Sequence, residues 1–169
     1  MLRAASFYGA GMAPPRVGTG DVAPDFTLEG TGDREYSLSS YRGQPVVLVF
    51  YPGDNTPVCT MQLNTYSSDI SEFEDLGAQI LAISPQGVDS HEAFANVHGF
   101  SFPLLADVDK SVGRAYGILG PVGFYKRSVF VIDRDGVIRY AHRATAGLTF
   151  RKTDELVSAV KAAQAGAPA

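Results

Sequence analysis

Several features common in other classes of protein are missing from this chain. It has one cysteine, so it cannot close an internal disulfide, and a secreted scaffold built on disulfides is excluded. A lone thiol is typical of a reducing compartment, and we therefore expect a cytoplasmic protein. The net charge is −4 with no cluster of lysine and arginine, which argues against nucleic acids and membrane surfaces as partners. No apolar run approaches the about 18 to 20 residues that a membrane-spanning helix needs.

The composition fits a single folded domain. Apolar residues make up 45% of the 169 residues and charged residues 19%, a balance typical of folded chains. We predict one domain over residues 17–165, with flexible segments at 1–16 and 166–169. Residues 1–16 contain Arg3 and Arg16 and no acidic residue, so a transit peptide and a true start at Met12 remain alternatives to a loose extension.

Hydrophobic patterns predict alternating strands and helices. Residues 45–51 and 78–84 are apolar runs typical of strands covered on both faces, and a helical pattern follows each of them, from residue 57 and near 89–98. A short helix capped by Asp109 and a final helix over 153–164 are also predicted. The remaining strands are predicted at 22–28, 36–38, 128–133 and 137–141, the last two joined by an Asp-Gly turn. We therefore predict an α/β fold, a mixed sheet with helices on both faces.

The cysteine, Cys59, falls in the first turn of the helix predicted to start at Pro57. Backbone N–H groups in a first turn lack helical partners, and together with the peptide dipoles they act like roughly +0.5 charge. This field favours a thiolate, which is the reactive form of cysteine. Cys59 also shares a helix face with Leu63, so we expect the thiol to point toward the sheet, partly shielded from water.

Structural roles alone would explain Cys59 and two other residues considered below, Arg127 and Thr56. A lone cysteine is usually a small buried hydrophobic residue. Arg127 could equally form a surface ion pair with Asp133 or Glu155. Thr56 precedes a proline at the first helical position, which is a standard helix start, so we expect Thr56 to cap the helix whatever else it does.

Four motifs resemble those of peroxiredoxins, in the order in which that family has them. They are Val22-Ala23-Pro24-Asp25-Phe26-Thr27-Leu28, then Pro52 with Thr56 and Cys59, then Phe102-Pro103-Leu104-Leu105-Ala106-Asp107, and finally Arg127-Ser128-Val129-Phe130-Val131-Ile132-Asp133. The resemblance covers about residues 17–161 and is greatest to the bacterioferritin-comigratory-protein group, also called the Q type.

This resemblance implies a thioredoxin-like fold and a thiol-specific peroxidase that reduces hydrogen peroxide and organic hydroperoxides. It implies that Cys59 is the peroxidatic nucleophile and passes through a sulfenic acid. It also implies that Thr56 and Arg127 bind the peroxide oxygens beside the sulfur, and that Pro52 closes over it. The resemblance calls for no cofactor and no metal.

Two positions depart from the Q-type pattern. Many members carry a second, resolving cysteine five residues after the first, where this chain has Asn64. The sulfenic acid then needs a thiol from outside the chain, either thioredoxin-like, glutaredoxin-like or of low molecular weight. Relatives commonly have glutamate where this chain has Gln62, so a local negative charge is lost. The oligomeric state, monomer or homodimer, stays open.

Other functions fit the residues less well. A thioredoxin-type oxidoreductase needs two cysteines two residues apart, and Thr56 occupies the first of those positions. A binding protein that keeps the fold without turnover is separated from an enzyme only by activity. The three histidines, His91, His98 and His142, lack the spacing of a metal site, and we expect them on the surface.

Overall fold

A computed structural model of the chain describes residues 16–144 and 149–166. Most of the two segments predicted to be flexible, residues 1–15 and 167–169, lies outside the described residues. Within the described residues seven strands form one sheet in the order β2-β1-β5-β4-β3-β6-β7. The strands are β1 Thr27–Gly30, β2 Arg34–Ser37, β3 Val46–Phe50, β4 Gln79–Ser84, β5 Leu104–Ala106, β6 Ser128–Ile132 and β7 Ile138–Arg143.

Parallel strands form the centre of the sheet. β3, β4 and β5 run parallel, whereas β6 pairs antiparallel with β3 and β1 pairs antiparallel with β5. All five residues of β3 are buried, as its apolar run predicts for a strand covered on both faces. The predicted mixed sheet is confirmed.

The helices cover both faces of this sheet. They are α1 Pro57–Ser68, α2 Ile70–Glu74, α3 Val88–His98, α4 Ser111–Ala115 and α5 Thr153–Gln164, with 3-10 turns at Leu38–Tyr41 and Pro121–Gly123. One buried cluster contains Cys59, Leu63 and Tyr66 of α1 with Phe94 of α3 and Leu156 of α5. The other face carries a second cluster, which includes Tyr116, Tyr125 and Phe130. No helix among the described residues is long and apolar enough to span a membrane.

Three local predictions need correction. The helical face predicted from Leu63 through Phe73 belongs to two helices, because the backbone leaves helical geometry at Asp69. The strand predicted at 22–28 begins only at Thr27, although Val22 makes a single bridge to Val137. The third correction concerns the helix predicted to be capped by Asp109: Lys110 is the N-cap of α4, and two aspartates hold the turn before it. Asp109 accepts from the amide of Ser111, whereas the buried Asp107 accepts from two amides inside the helix, those of Val112 and Gly113.

The register of β3 and β6 brings distant residues together. Phe50, the last residue of β3, pairs with Ser128, the first residue of β6. Tyr51 follows Phe50, and Arg127 precedes Ser128. Tyr51 and Arg127 therefore lie at the same end of these two strands. The turn that leads to α1 starts at this end.

Candidate active site

The turn between β3 and α1 places a cysteine at the start of a helix. Thr56 has extended backbone angles (φ −86°, ψ 146°), and Pro57 is the first helical residue. The first helical hydrogen bond runs from the amide of Thr60 to the carbonyl of Thr56, at 2.9 Å. The amides of Val58 and Cys59 come before it, so they have no helical acceptor and contribute to the positive end of the helix.

The cysteine side chain is deeper than the sequence predicts. Cys59 was expected to be partly shielded, but it is fully buried, with a relative exposure of 0%. It lies on the apolar face of α1, within the cluster that holds Leu63 and Tyr66. Such burial by itself disfavours a thiolate, so an ionised sulfur requires a specific partner.

That partner is Arg127. Its Nη2 donates to Sγ of Cys59 at 3.3 Å, and its exposure is only 4%. The interpretation of Arg127 as a surface partner of Asp133 or Glu155 is wrong, since Asp133 pairs with Arg139 and Glu155 with Arg151. A buried guanidinium beside a sulfur favours the thiolate over the thiol.

A neutral side chain holds the other arm of the guanidinium. Nη1 of Arg127 donates to Oε1 of Gln62 at 2.6 Å, and Gln62 is fully buried. Nε2 of Gln62 in turn donates to the hydroxyl of Tyr66 at 3.4 Å, and that hydroxyl donates to the carbonyl of Arg151. Burial raises the pKa of Tyr66 to about 12, so it stays a neutral link in this chain.

The two other predicted site residues lie on the same turn. The hydroxyl of Thr56 donates to the carbonyl of Gly53 at 3.0 Å and makes no capping bond to the helix amides, so the predicted side-chain cap is wrong. Thr56 is exposed and Pro52 is half-buried. The structure thus brings Cys59 and Arg127 into contact, while Thr56 and Pro52 lie on the turn between β3 and α1.

Sequence reasoning missed a buried polar group under this turn. His91 was expected on the surface, but its exposure is 0% and Nδ1 lies 2.7 Å from Oδ2 of Asp54. Asp54 also accepts from the hydroxyls of Tyr51 and Ser90, at 2.7 Å each. A signal was available: His91 precedes the core residue Phe94 by three positions on α3, which puts both on one helix face.

The other two histidines are half-buried rather than fully exposed. Nδ1 of His98 lies 3.3 Å from the side-chain amide of Asn64, the position where a resolving cysteine would stand. Burial and the nearby Arg151 lower the pKa of His142, so it is neutral at pH 7. In the part of the chain that the structure describes, no group of three or more His, Cys, Asp or Glu residues is arranged to hold a metal ion.

Known proteins resemble this chain in sequence. The sequence profile of the AhpC/TSA family matches residues 19–141. Chloroplastic peroxiredoxin Q of Triticum aestivum is 35% identical over 144 residues, which are 83% of this chain and 64% of that protein. A putative peroxiredoxin of Mycobacterium tuberculosis is 35% identical over 149 residues, 82% of this chain and 95% of that protein.

Solved structures resemble it in fold. Peroxidoxin BcpB of Mycobacterium tuberculosis superposes with a TM-score of 0.79 at 30% identity, over 87% of this chain and 98% of that one. The bacterioferritin comigratory protein of Xanthomonas campestris, which has alkyl peroxide reduction activity, superposes with a TM-score of 0.73 at 29% identity, over 81% of this chain and 90% of that one. The predicted thioredoxin-like fold is confirmed by these likenesses.

Proposed function

The chain belongs to the AhpC/TSA family and is a thiol-dependent peroxidase of the peroxiredoxin type, and we propose that Cys59 is its peroxidatic nucleophile. The observation that carries this proposal is the hydrogen bond from Arg127 to the buried sulfur at 3.3 Å. Cys59 is also the sole cysteine of the chain, so no other thiol competes for the role.

The proposed reaction is a two-electron transfer at sulfur. The thiolate of Cys59 attacks one oxygen of a peroxide ROOH, the S–O bond forms, and the O–O bond breaks. Sulfur is oxidised to a sulfenic acid, while the departing RO⁻ takes up a proton and leaves as an alcohol, or as water when R is hydrogen. Hydrogen peroxide and organic hydroperoxides are the proposed substrates.

The surrounding groups stabilise the negative charge that moves from sulfur to oxygen in this step, bind the peroxide and shield the sulfur. Arg127 holds a positive charge at the sulfur and, as charge shifts to the departing oxygen, stabilises it. The hydroxyl of Thr56, now donating to Gly53, is proposed to turn to the peroxide when it binds. Pro52 shields the sulfur without adding an N–H group that would need an acceptor.

Recycling of the enzyme is proposed to follow a one-cysteine path. Asn64 stands where a resolving cysteine would, so an external thiol attacks the sulfenic acid, water leaves, and a mixed disulfide forms. A second external thiol then displaces Cys59 and restores its thiol. Thioredoxin-like, glutaredoxin-like and low-molecular-weight thiols all have the required chemistry. We propose that the protein works in the reducing cytoplasm, as a monomer or a homodimer.

Peroxide consumption under multiple turnover tests the function. Reduced protein, a thiol reductant and hydrogen peroxide or an organic hydroperoxide are mixed, and peroxide loss is followed against the Cys59→Ser protein. We expect consumption by the native chain alone. Equal consumption by Cys59→Ser, or a native rate no faster than that of a free thiol, would leave a binding protein with a peroxidase fold.

A further inference from the structure

The active-site turn rests on a buried pair of ionisable side chains that the proposed reaction does not use. Asp54 lies in this turn, five residues before Cys59, with an exposure of 5%, and His91 of α3 is fully buried. Their closest atoms, Oδ2 of Asp54 and Nδ1 of His91, are 2.7 Å apart. Two groups of this kind are costly to bury unless they compensate each other.

The hydrogen-bond partners place an oxygen acceptor at each ring nitrogen of His91. Nε2 of His91 lies 2.9 Å from the carbonyl of Leu105, and a carbonyl only accepts, so Nε2 carries a hydrogen. Nδ1 faces a carboxylate oxygen that also accepts from Ser90. Both ring nitrogens therefore face oxygen acceptors, an arrangement that an imidazolium cation satisfies by donating from both.

Asp54 is correspondingly ionised. Burial alone would raise the pKa of its carboxyl, but hydrogen bonds from His91, Tyr51 and Ser90 outweigh burial and hold the pKa below its ordinary value. This arrangement suits a buried carboxylate matched by a buried cation, at the turn that carries Pro52 and Thr56.

Tyr51 connects this pair to the reactive sulfur. Its hydroxyl donates to Oδ1 of Asp54 at 2.7 Å, and its ring belongs to the same core cluster as Cys59. Burial, then the charge of Asp54, and to a smaller extent the negative charge of Cys59, raise the pKa of Tyr51 well above its usual range. Tyr51 thus bonds to Asp54 and belongs to the cluster that holds Cys59, and negative charges on Asp54 and Cys59 oppose each other.

We propose that His91 is a positioning residue for the peroxide reaction, whose positive charge neutralises Asp54 and so permits Cys59 to ionise at neutral pH. The inference rests on the proposed role of Cys59. Without the cation, Asp54 would be an unpaired carboxylate beside the active-site turn, and a second negative charge on the sulfur would be disfavoured. The pair also fastens the turn to α3, together with the bond from the Asp54 amide to Gln86.

The remaining ionisable neighbours do not replace His91. On the strand side of the pair stands Tyr51, and beyond it Tyr125, which donates to Asp107 at 3.1 Å. Asp107 is occupied by the amides of Val112 and Gly113 in α4. On the α1 side stands Cys59, whose bonded cation is Arg127.

The single cysteine permits a direct test. The ultraviolet absorbance of the thiolate, taken as the difference from Cys59→Ser, reports the ionisation of Cys59 with no peroxide present. We expect His91→Gln to move the midpoint of this titration upward by about one pH unit or more, and to slow peroxide consumption about tenfold near pH 7. The double variant Asp54→Asn/His91→Gln, which removes both charges, is expected to return the midpoint toward that of the native chain.

Controls separate charge from structure. His98→Gln, on the same helix, is expected to leave the midpoint unchanged, and circular dichroism checks that every variant is folded. If His91→Gln does not fold, the Asp54→Asn variant provides the test. The proposal requires that loss of the carboxylate does not raise the midpoint of the Cys59 titration. A native midpoint in His91→Gln, or an equal rise in the double variant, overturns the proposal. A native protein that ionises but consumes no peroxide overturns the proposed function instead.

Discussion

Arg127 donates to the neutral side chain of Gln62, with Nη1 2.6 Å from Oε1, while its other arm reaches the sulfur of Cys59. Gln62 accepts without bringing a negative charge of its own. At this contact the guanidinium therefore meets no carboxylate, and its positive charge lies 3.3 Å from the sulfur. A glutamate at this position would add a carboxylate that competes with the sulfur for the positive charge of Arg127.

We predict that Gln62→Glu slows the peroxide reaction near neutral pH by several-fold and moves its pH profile upward. The added carboxylate neutralises Arg127 and places a second negative charge near the thiolate. The rate of the reduced protein with hydrogen peroxide, measured by stopped flow across pH, checks this. Gln62→Met removes the acceptor without adding charge. The same upward displacement in Gln62→Met would contradict the electrostatic explanation.

Arg127→Gln is predicted to lower the peroxide rate by about 10²- to 10³-fold, since it keeps a donor near the sulfur but removes the charge. A matched control is Arg139→Gln, because Arg139 pairs with Asp133 at the hairpin between β6 and β7. We expect the control to retain the native rate. The prediction fails if Arg127→Gln reacts as fast as Arg139→Gln in the same stopped-flow assay.

Stability is predicted to fall in acid because of Asp54 and Asp133. Burial alone would raise the pKa of Asp133, but the Val137 amide, Arg139 and the Asp135 amide hold it below the ordinary value, and Asp54 is likewise lowered. A carboxyl whose pKa is depressed by folding contributes stability above the unfolded pKa of about 3.9, and this is lost as pH falls through the folded value. Urea unfolding at neutral pH and below about pH 4 measures the loss.

The matched variant for this prediction is Asp133→Asn. We expect it to cost about 1–3 kcal/mol at neutral pH, because two amides and a guanidinium lose their charged acceptor. It should also show a smaller loss of stability in acid than the native chain. An equal loss of stability in acid in both proteins would mean that groups other than Asp133 determine the loss.

The burial of Cys59 predicts that oxidised chains do not join through a disulfide between two copies of Cys59. An external thiol reaches Cys59 when one fold opens at the site, whereas two chains can link only if both folds open together, so oxidised chains should stay unlinked. Brief treatment with one equivalent of peroxide, a quench with a thiol-blocking reagent, and non-reducing electrophoresis check this. A dominant band of linked dimers in the folded, oxidised sample would show that Cys59 is more accessible than its position indicates.

Much of the fold follows from local sequence patterns. The apolar runs that became β3 and β4 are long enough to be recognised, and Thr153–Gln164 is a helix with the bounds that its periodicity predicts. The break at Asp69 was not visible, because the apolar spacing from Leu63 to Phe73 is preserved across it. At the break, the Asp69 carboxylate accepts a tertiary hydrogen bond from Thr153 at 2.7 Å, a contact that the local sequence does not specify.

The site was predictable where a motif spans it and not where partners are distant in sequence. The contact of Arg127 with Cys59 agrees with the family resemblance, although 68 residues separate the two. The pairing of Asp54 with His91 depends on the packing of α3 against the turn, and a lone histidine gives no sign of its partner. Thr56 shows the reverse, since α1 starts where the sequence predicts, but the Thr56 hydroxyl donates to the carbonyl of Gly53 and does not cap the helix.

A single turnover shows whether peroxide oxidises Cys59 with help from the surrounding residues. Reduced protein is mixed with one equivalent of hydrogen peroxide, trapped with dimedone, and analysed by intact mass and peptide mapping. We predict one dimedone adduct per chain, on Cys59, formed far faster than with a free thiol. An unlabelled Cys59 after the peroxide is consumed, or oxidation at the rate of a free thiol, would contradict the account.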